Sequence, residues 1–217
     1  MRIGVLLGGC GMYDGSDVQE SVLVLQALEA EHERPVLVAP DIPQQRTVDH
    51  LTAVAAEDEP RNVLRESARL ARGAIRALEP ALAEDLEALI IPGGYGPVVN
   101  LSTDFARPGA ARGIVPEVAA FLRRFLEERK PIGLVGLGEV PIRTLLGQEL
   151  DLPPVPRAPA DLVIDAERRL VHTPGFSAFN RLADVRTGIE AMVREVIRLM
   201  EDRLRQEGAD GHDAVGR

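Results

Sequence analysis

Three apolar runs of strand length end in glycines: "RIGVLLGG" at 2–9, "ALIIPGG" at 88–94 and "PIGLVGLG" at 131–138. Near-continuous apolar runs of this kind suit strands covered on both faces, and a glycine after each strand suits a tight turn toward a helix. Segments of helical period lie between them. The pattern predicts an α/β fold with a mainly parallel sheet in the middle of a three-layer sandwich. Strands are expected near 2–8, 35–39, 87–91 and 131–136, with helices over about 16–31, 60–76 and 116–129 and a fourth from Glu139 or Pro141.

The first helix shows Ser16 with Gln19 three residues on, a capping-box spacing, and Val18, Val22, Leu25 and Leu28 then mark one face as the core side. Near the end, "DLVIDAERRLVHTP" has two short apolar runs around 166–168, which predicts a hairpin at the sheet edge. A last helix over about 180–205 would bury Ile189, Met192, Val193, Val196, Ile197 and Met200. The segment "DLPPVPRAP", 151–159, holds four prolines and reads as a stiff connector. At 217 residues the chain suits one domain, 1–205, followed by a disordered tail, 206–217, that lacks apolar period.

Charge and composition exclude several functions. A net charge of -9 without a basic cluster argues against nucleic acid and anionic membranes, and 3% aromatics with no Trp argue against a base-stacking platform. The lone cysteine, Cys10, excludes an internal disulfide, and a cytoplasmic location is the expectation from cysteine use and the short N-terminal apolar run. The four histidines show no metal-ligand spacing, so no metal and no cofactor are expected. Lys130, the sole lysine, is expected in a surface loop, a poor place for a Schiff base.

Candidate chemistry gathers at the strand ends. In "GGCGMYDGS", Gly9 and Gly11 match the first two positions of G-x-G-x-x-G, but Asp14 stands where the third glycine belongs, so a nucleotide site is the weakest of three readings beside a simple tight turn and an anion site. Cys10 in that turn is either a buried small side chain or a thiol activated by the helix N-terminus. Gly93 and Gly94 after the third strand are candidates for oxyanion-binding N–H groups, with Asn100 nearby. Glu20, one turn into the first helix, and His172, just before Pro174, are the titratable candidates for the same crevice.

"GGCGMYDGS", "RNVLRESARLARGAI", "IPGGYGPVVNLSTDFA", "KPIGLVGLGEVP" and "LVHTPGF" together resemble the ElbB family, a branch of the PfpI and class I glutamine amidotransferase-like superfamily with a flavodoxin-like fold. The resemblance runs in order from residue 2 to about 200. It implies a homodimer, an isoprenoid-biosynthesis or glyoxalase-type role, and a nucleophilic cysteine on the strand-to-helix elbow. That position here is Gly136, with Gly138 and Glu139 where the family has Ala and Pro, and Val99 stands where a lysine is usual. The resemblance makes Glu20 the acid that approaches the thiol and Gly93 and Gly94 the oxyanion loop. Two expectations follow: a chain without thiol catalysis that binds a small carbonyl or anionic metabolite or a protein partner, or an enzyme acting on 2-oxoaldehydes with Cys10 as a displaced nucleophile. The family also has about thirty more residues between the elbow helix and the late hairpin, so one crevice wall is expected to be reduced.

Overall fold

The computed structural model describes residues 2–56, 58–102, 113–147 and 158–214. In chain order these form β1 (Arg2–Leu6), α1 (Val18–Ala30), β2 (Arg34–Ala39), β3 (Val48–Asp49), β4 (Val54–Ala55), α2 (Val63–Leu70) and β5 (Arg76–Ala77). They continue with β6 (Ala88–Ile91), α3 (Pro116–Glu127), β7 (Ile132–Val135), α4 (Val140–Leu146), β8 (Val163–Asp165), β9 (Leu170–Thr173) and α5 (Leu182–Ala214). Seven strands make one sheet in the order β5-β2-β1-β6-β7-β9-β8, parallel except for the antiparallel β8–β9 pair at one edge. β3 and β4 form a separate two-stranded hairpin.

The sheet separates two apolar cores, as expected of a three-layer sandwich. On one face Val24 and Leu28 of α1 and Ile189, Met192 and Val196 of α5 pack with Ile3 and Val5 of β1. On the other, Phe121, Leu122 and Phe125 of α3 and Ile142 of α4 pack with Leu89 of β6 and Leu134 of β7. Apolar side chains on both faces explain the unbroken apolar runs of the central strands. The mainly parallel order also places the carboxyl ends of β1, β6, β7 and β9 along one rim, where α/β folds form their crevices.

Several local expectations are corrected. Asp17, not Ser16, caps α1: its side chain accepts from the Glu20 N–H at 2.9 Å, while the Ser16 hydroxyl accepts from the Gly8 N–H. The buried face of α1 is Glu20, Ser21, Val24, Ala27 and Leu28, leaving Val18 and Val22 exposed. The face is rotated because the first turn is seated on the polar ends of the strands. α2 is shorter than expected, since Asn62 caps its start and Arg72 and Gly73 adopt left-handed backbone just past its end. Lys130 is buried, 4% exposed, and donates to the Ala83 carbonyl while pairing with Glu128. Helix α5 continues through residues 206–214, where the sequence predicted a disordered tail. Most of the 151–159 connector lies outside the described residues.

Candidate functional site

β7 ends at Val135, and Gly136 turns the chain with φ +49° into a short 3-10 segment and then α4. This left-handed conformation, sparsely populated by residues with a Cβ, is the backbone of a nucleophile elbow. A Cβ at Gly136 would stand 3.0 Å from the Ser177 hydroxyl, 3.2 Å from the Pro174 carbonyl and 3.7 Å from Glu20 Oε1. The elbow therefore faces an acid and a hydroxyl but carries only hydrogen itself.

Glu20 reaches this point from the first turn of α1 and is 2% exposed. Its Oε2 accepts from the Gly93 N–H at 3.0 Å and its Oε1 from the Phe176 N–H at 2.9 Å. Burial pushes the carboxyl from its ordinary value of 4.5 up to about 7, with the N–H of Phe176 opposing and the charge of Asp17 adding to the rise. Glu20 thus exchanges its proton near neutrality, the property of a general acid or base.

The same shift makes stability depend on pH. The folded state holds the Glu20 proton up to about pH 7, whereas the unfolded chain releases it near 4.5, so the stabilising contribution is complete below 4.5 and is lost as pH rises to 7. The loss is on the order of 3 kcal/mol at about 1.4 kcal/mol per pKa unit. Urea unfolding at pH 5 and pH 8 checks it: the parent is expected to lose stability across this range by an amount that Glu20→Gln, having no titratable group there, does not show.

His172 on β9 joins the cluster, its Nε2 3.3 Å from the Gly136 carbonyl. Burial lowers its pKa, with Glu139 and the Gly136 carbonyl opposing. Glu139 is itself paired with Arg143 at 3.2 Å. The structure therefore brings Glu20, Gly93, Gly136 and His172 together.

The other sequence candidates have different surroundings. The Gly9 N–H donates to the Ser67 hydroxyl and the Gly11 N–H to the Ser16 carbonyl, so neither is aimed at an anion. Asp14 is buried and accepts from the Val48 N–H, which fits a packed turn rather than a dinucleotide loop. Asn100, also buried, accepts from the Gln45 N–H and donates to the carbonyls of Gly8 and Asp14, clamping the turn from within. Gly94, at φ +81°, lies where a Cβ would collide with the Asp17 backbone, and the Gly93 carbonyl accepts from the Asp17 N–H. The glycine loop after β6 is thereby laced to the start of α1.

Cys10 is half-buried, and burial pushes its thiol up, with Glu66 adding and Arg69 opposing. This direction runs against the activated-thiol reading of Cys10. Its charged neighbours are Glu66, Arg69, Asp14 and Arg61, a set that shares no member with the groups around Glu20. Among the described residues no cluster of three or more His, Cys, Asp or Glu is placed to hold a metal ion.

Sequence reasoning missed Gly175, Phe176 and Ser177. They form a one-turn 3-10 segment after β9, with Gly175 at φ +54° directly against Glu20. The "TPGF" turn signal was visible, but its approach to residue 20 spans 156 positions and depends on β9 lying beside β7.

No family model matches the sequence. The chain is 34% identical to the human glutamine amidotransferase-like class 1 domain-containing protein 3, mitochondrial, over 91% of this chain and 83% of that one. It is 33% identical to the rat ES1 protein homolog, mitochondrial, with 91% and 84% covered. Among solved structures it is similar to an isoprenoid biosynthesis protein with an amidotransferase-like domain from Ehrlichia chaffeensis, with 30% identity, TM-score 0.84, and 91% and 99% covered. A DJ-1 superfamily protein from Salmonella typhimurium, 18% identical with TM-score 0.50 and 89% and 94% covered, shares the fold. The cytoplasmic expectation is overturned by these comparisons, since the human and rat relatives, and one from zebrafish, are named mitochondrial. Low cysteine use cannot separate one reducing compartment from another. With this identity along nine tenths of its length, the chain belongs to the glutamine amidotransferase-like class 1 domain family, in its ElbB-like branch.

Proposed function

We propose that this protein binds a small carbonyl-containing metabolite at the crevice formed by Glu20, Gly93 and Gly136, without the thiol catalysis that an elbow cysteine would support. The observation that carries the reading is Gly136 itself: the left-handed elbow and the adjacent carboxyl are kept, 3.7 Å from where a side chain would begin, but no sulfur is attached. A hydrogen cannot add to a carbonyl carbon, so the covalent step open to a thiolate is removed. What persists is recognition. The Glu20 carboxyl, near half protonation at neutral pH, can donate to a ligand carbonyl or accept from a hydroxyl.

Amide chemical shifts under titration with hydroxyacetone and with pyruvate test this reading and separate a neutral carbonyl from an anionic one. Shifts at Gly93, Gly136 and Ser177 are expected, together with no methylglyoxal consumption above the protein-free rate. Unmoved amides at millimolar probe, or methylglyoxal turnover that thiol alkylation abolishes, would overturn it.

A further inference from the structure

Ser177 follows the hydrogen-bonded turn that seals Glu20, and three features fix its position. Gly175 reverses the backbone with φ +54°, the Phe176 N–H is held by Glu20 Oε1 while its ring packs against the core, and the Ser177 N–H donates to the Pro174 carbonyl at 3.0 Å. The side chain is exposed, yet its hydroxyl lies 3.0 Å from the point at which a Cβ on Gly136 would project. Glu20 Oε1 is 3.7 Å from that same point. A hydroxyl from the turn after β9 thus stands against the bare elbow after β7, the neighbouring parallel strand.

We propose that Ser177 is a nucleophile displaced onto this neighbouring turn, with Glu20 as its base, and that it transfers acyl groups from small esters. The proposal rests on the crevice being a ligand site, as above, and adds a reaction that needs no thiol. Glu20 is the base because the other titratable group at the elbow, His172, has its Nε2 turned to the Gly136 carbonyl, and Glu139 is paired with Arg143. An exposed serine can turn about χ1 to bring its hydroxyl toward Oε1. The hydroxyl proton passes to the Glu20 carboxylate as Oγ bonds to the ester carbonyl carbon. The intermediate then breaks its bond to the alkoxide, which takes the proton from Glu20. Water, deprotonated by the same carboxylate, attacks the acyl-serine, releases the carboxylic acid and restores the hydroxyl.

The test uses the full chain with Cys10→Ser, which removes the only thiol. Two probes are applied, 4-nitrophenyl acetate as substrate and a fluorophosphonate as acylation mimic, with peptide mass spectrometry to locate the label. Label on Ser177 is expected, with hydrolysis falling at least about tenfold in both Ser177→Ala and Glu20→Gln. In the parent, the rate should rise as pH passes through the Glu20 transition, and Glu20→Gln should lose that rise. Hydrolysis by Ser177→Ala at the parental rate, label on another residue, or no labelling at all would overturn the proposal. Those results leave hydroxyacetone and pyruvate shifts intact if only the nucleophile is wrong, whereas unmoved amides would sink the ligand-site reading instead.

Discussion

Gly136→Cys, made in a Cys10→Ser background, is expected to give this chain a thiol that iodoacetamide alkylates far faster than it alkylates Cys10 in the parent. The backbone already adopts the elbow conformation, at φ +49°, so no rearrangement of the turn is required. A side chain in that region costs about 1–2 kcal/mol. Its Cβ would also crowd Ser177 Oγ at 3.0 Å, a contact the exposed serine relieves by moving, and the Pro174 carbonyl at 3.2 Å, which must give by a few tenths of an ångström. The sulfur would then lie beside a carboxyl that keeps its proton to about pH 7 and can donate it to a thiolate, a hydrogen bond that favours the charged sulfur. Cys10, by contrast, is held in its thiol form by burial and by Glu66. A difference in alkylation rate of about tenfold or more at pH 7 is the expected reading. Equal rates would show that the acid and the elbow do not work as a pair.

Gly175→Ala is expected to be strongly destabilising. The added Cβ would land on Glu20 Oε1 and within 2.8 Å of Val135 Cγ1, in a residue already at φ +54°. Left-handed strain contributes about 1–2 kcal/mol. Pushing away a buried carboxyl that accepts from Phe176 and Gly93 adds about 1–3 kcal/mol for the N–H groups left unpaired. The sum, about 2–5 kcal/mol, corresponds to a fall in Tm of roughly 4–20 °C in a chain of this size. Gly73→Ala is the control, because its φ is +84° but nothing lies within 4 Å of the new Cβ. It should lose only the strain contribution, so a thermal melt of the two variants separates crowding at Glu20 from backbone strain alone.

The two results bear on one arrangement. Glu20 is enclosed by three glycines from three strand ends, Gly93 after β6, Gly136 after β7 and Gly175 after β9, and a Cβ at Gly93 or Gly175 would strike its carboxylate. Burying an ionisable group in this way is unfavourable unless its oxygens are hydrogen-bonded, and here two backbone N–H groups satisfy them. The cost that remains appears as the raised pKa.

Much of this was legible in the chain. The runs at 2–8, 87–91 and 131–136 became β1, β6 and β7 because central parallel strands are covered on both faces and need apolar side chains throughout. Glu20, Gly93 and His172 were read as neighbours from their positions near strand ends and Gly136 from the family resemblance, and the structure brings the four close together. The first helix misled because Val18 and Val22 have the right spacing for a core face, yet the carboxylate of Glu20 is drawn inward by N–H groups that only the folded sheet supplies. Gly9, Gly11 and Asn100 misled in the other direction. The polar groups of Gly9 and Asn100 are taken up by Ser67 and by carbonyls distant in the chain, and that of Gly11 by Ser16 within its own turn.

By itself the sequence determined the α/β architecture and the glycine at position 136, since apolar periodicity and residue identity are properties of the chain before it folds. Only the tertiary structure decided that Glu20 would titrate near pH 7 and that Ser177 would stand against Gly136. Both depend on desolvation and on distances between strands far apart in sequence, which exist only once the sheet has been assembled.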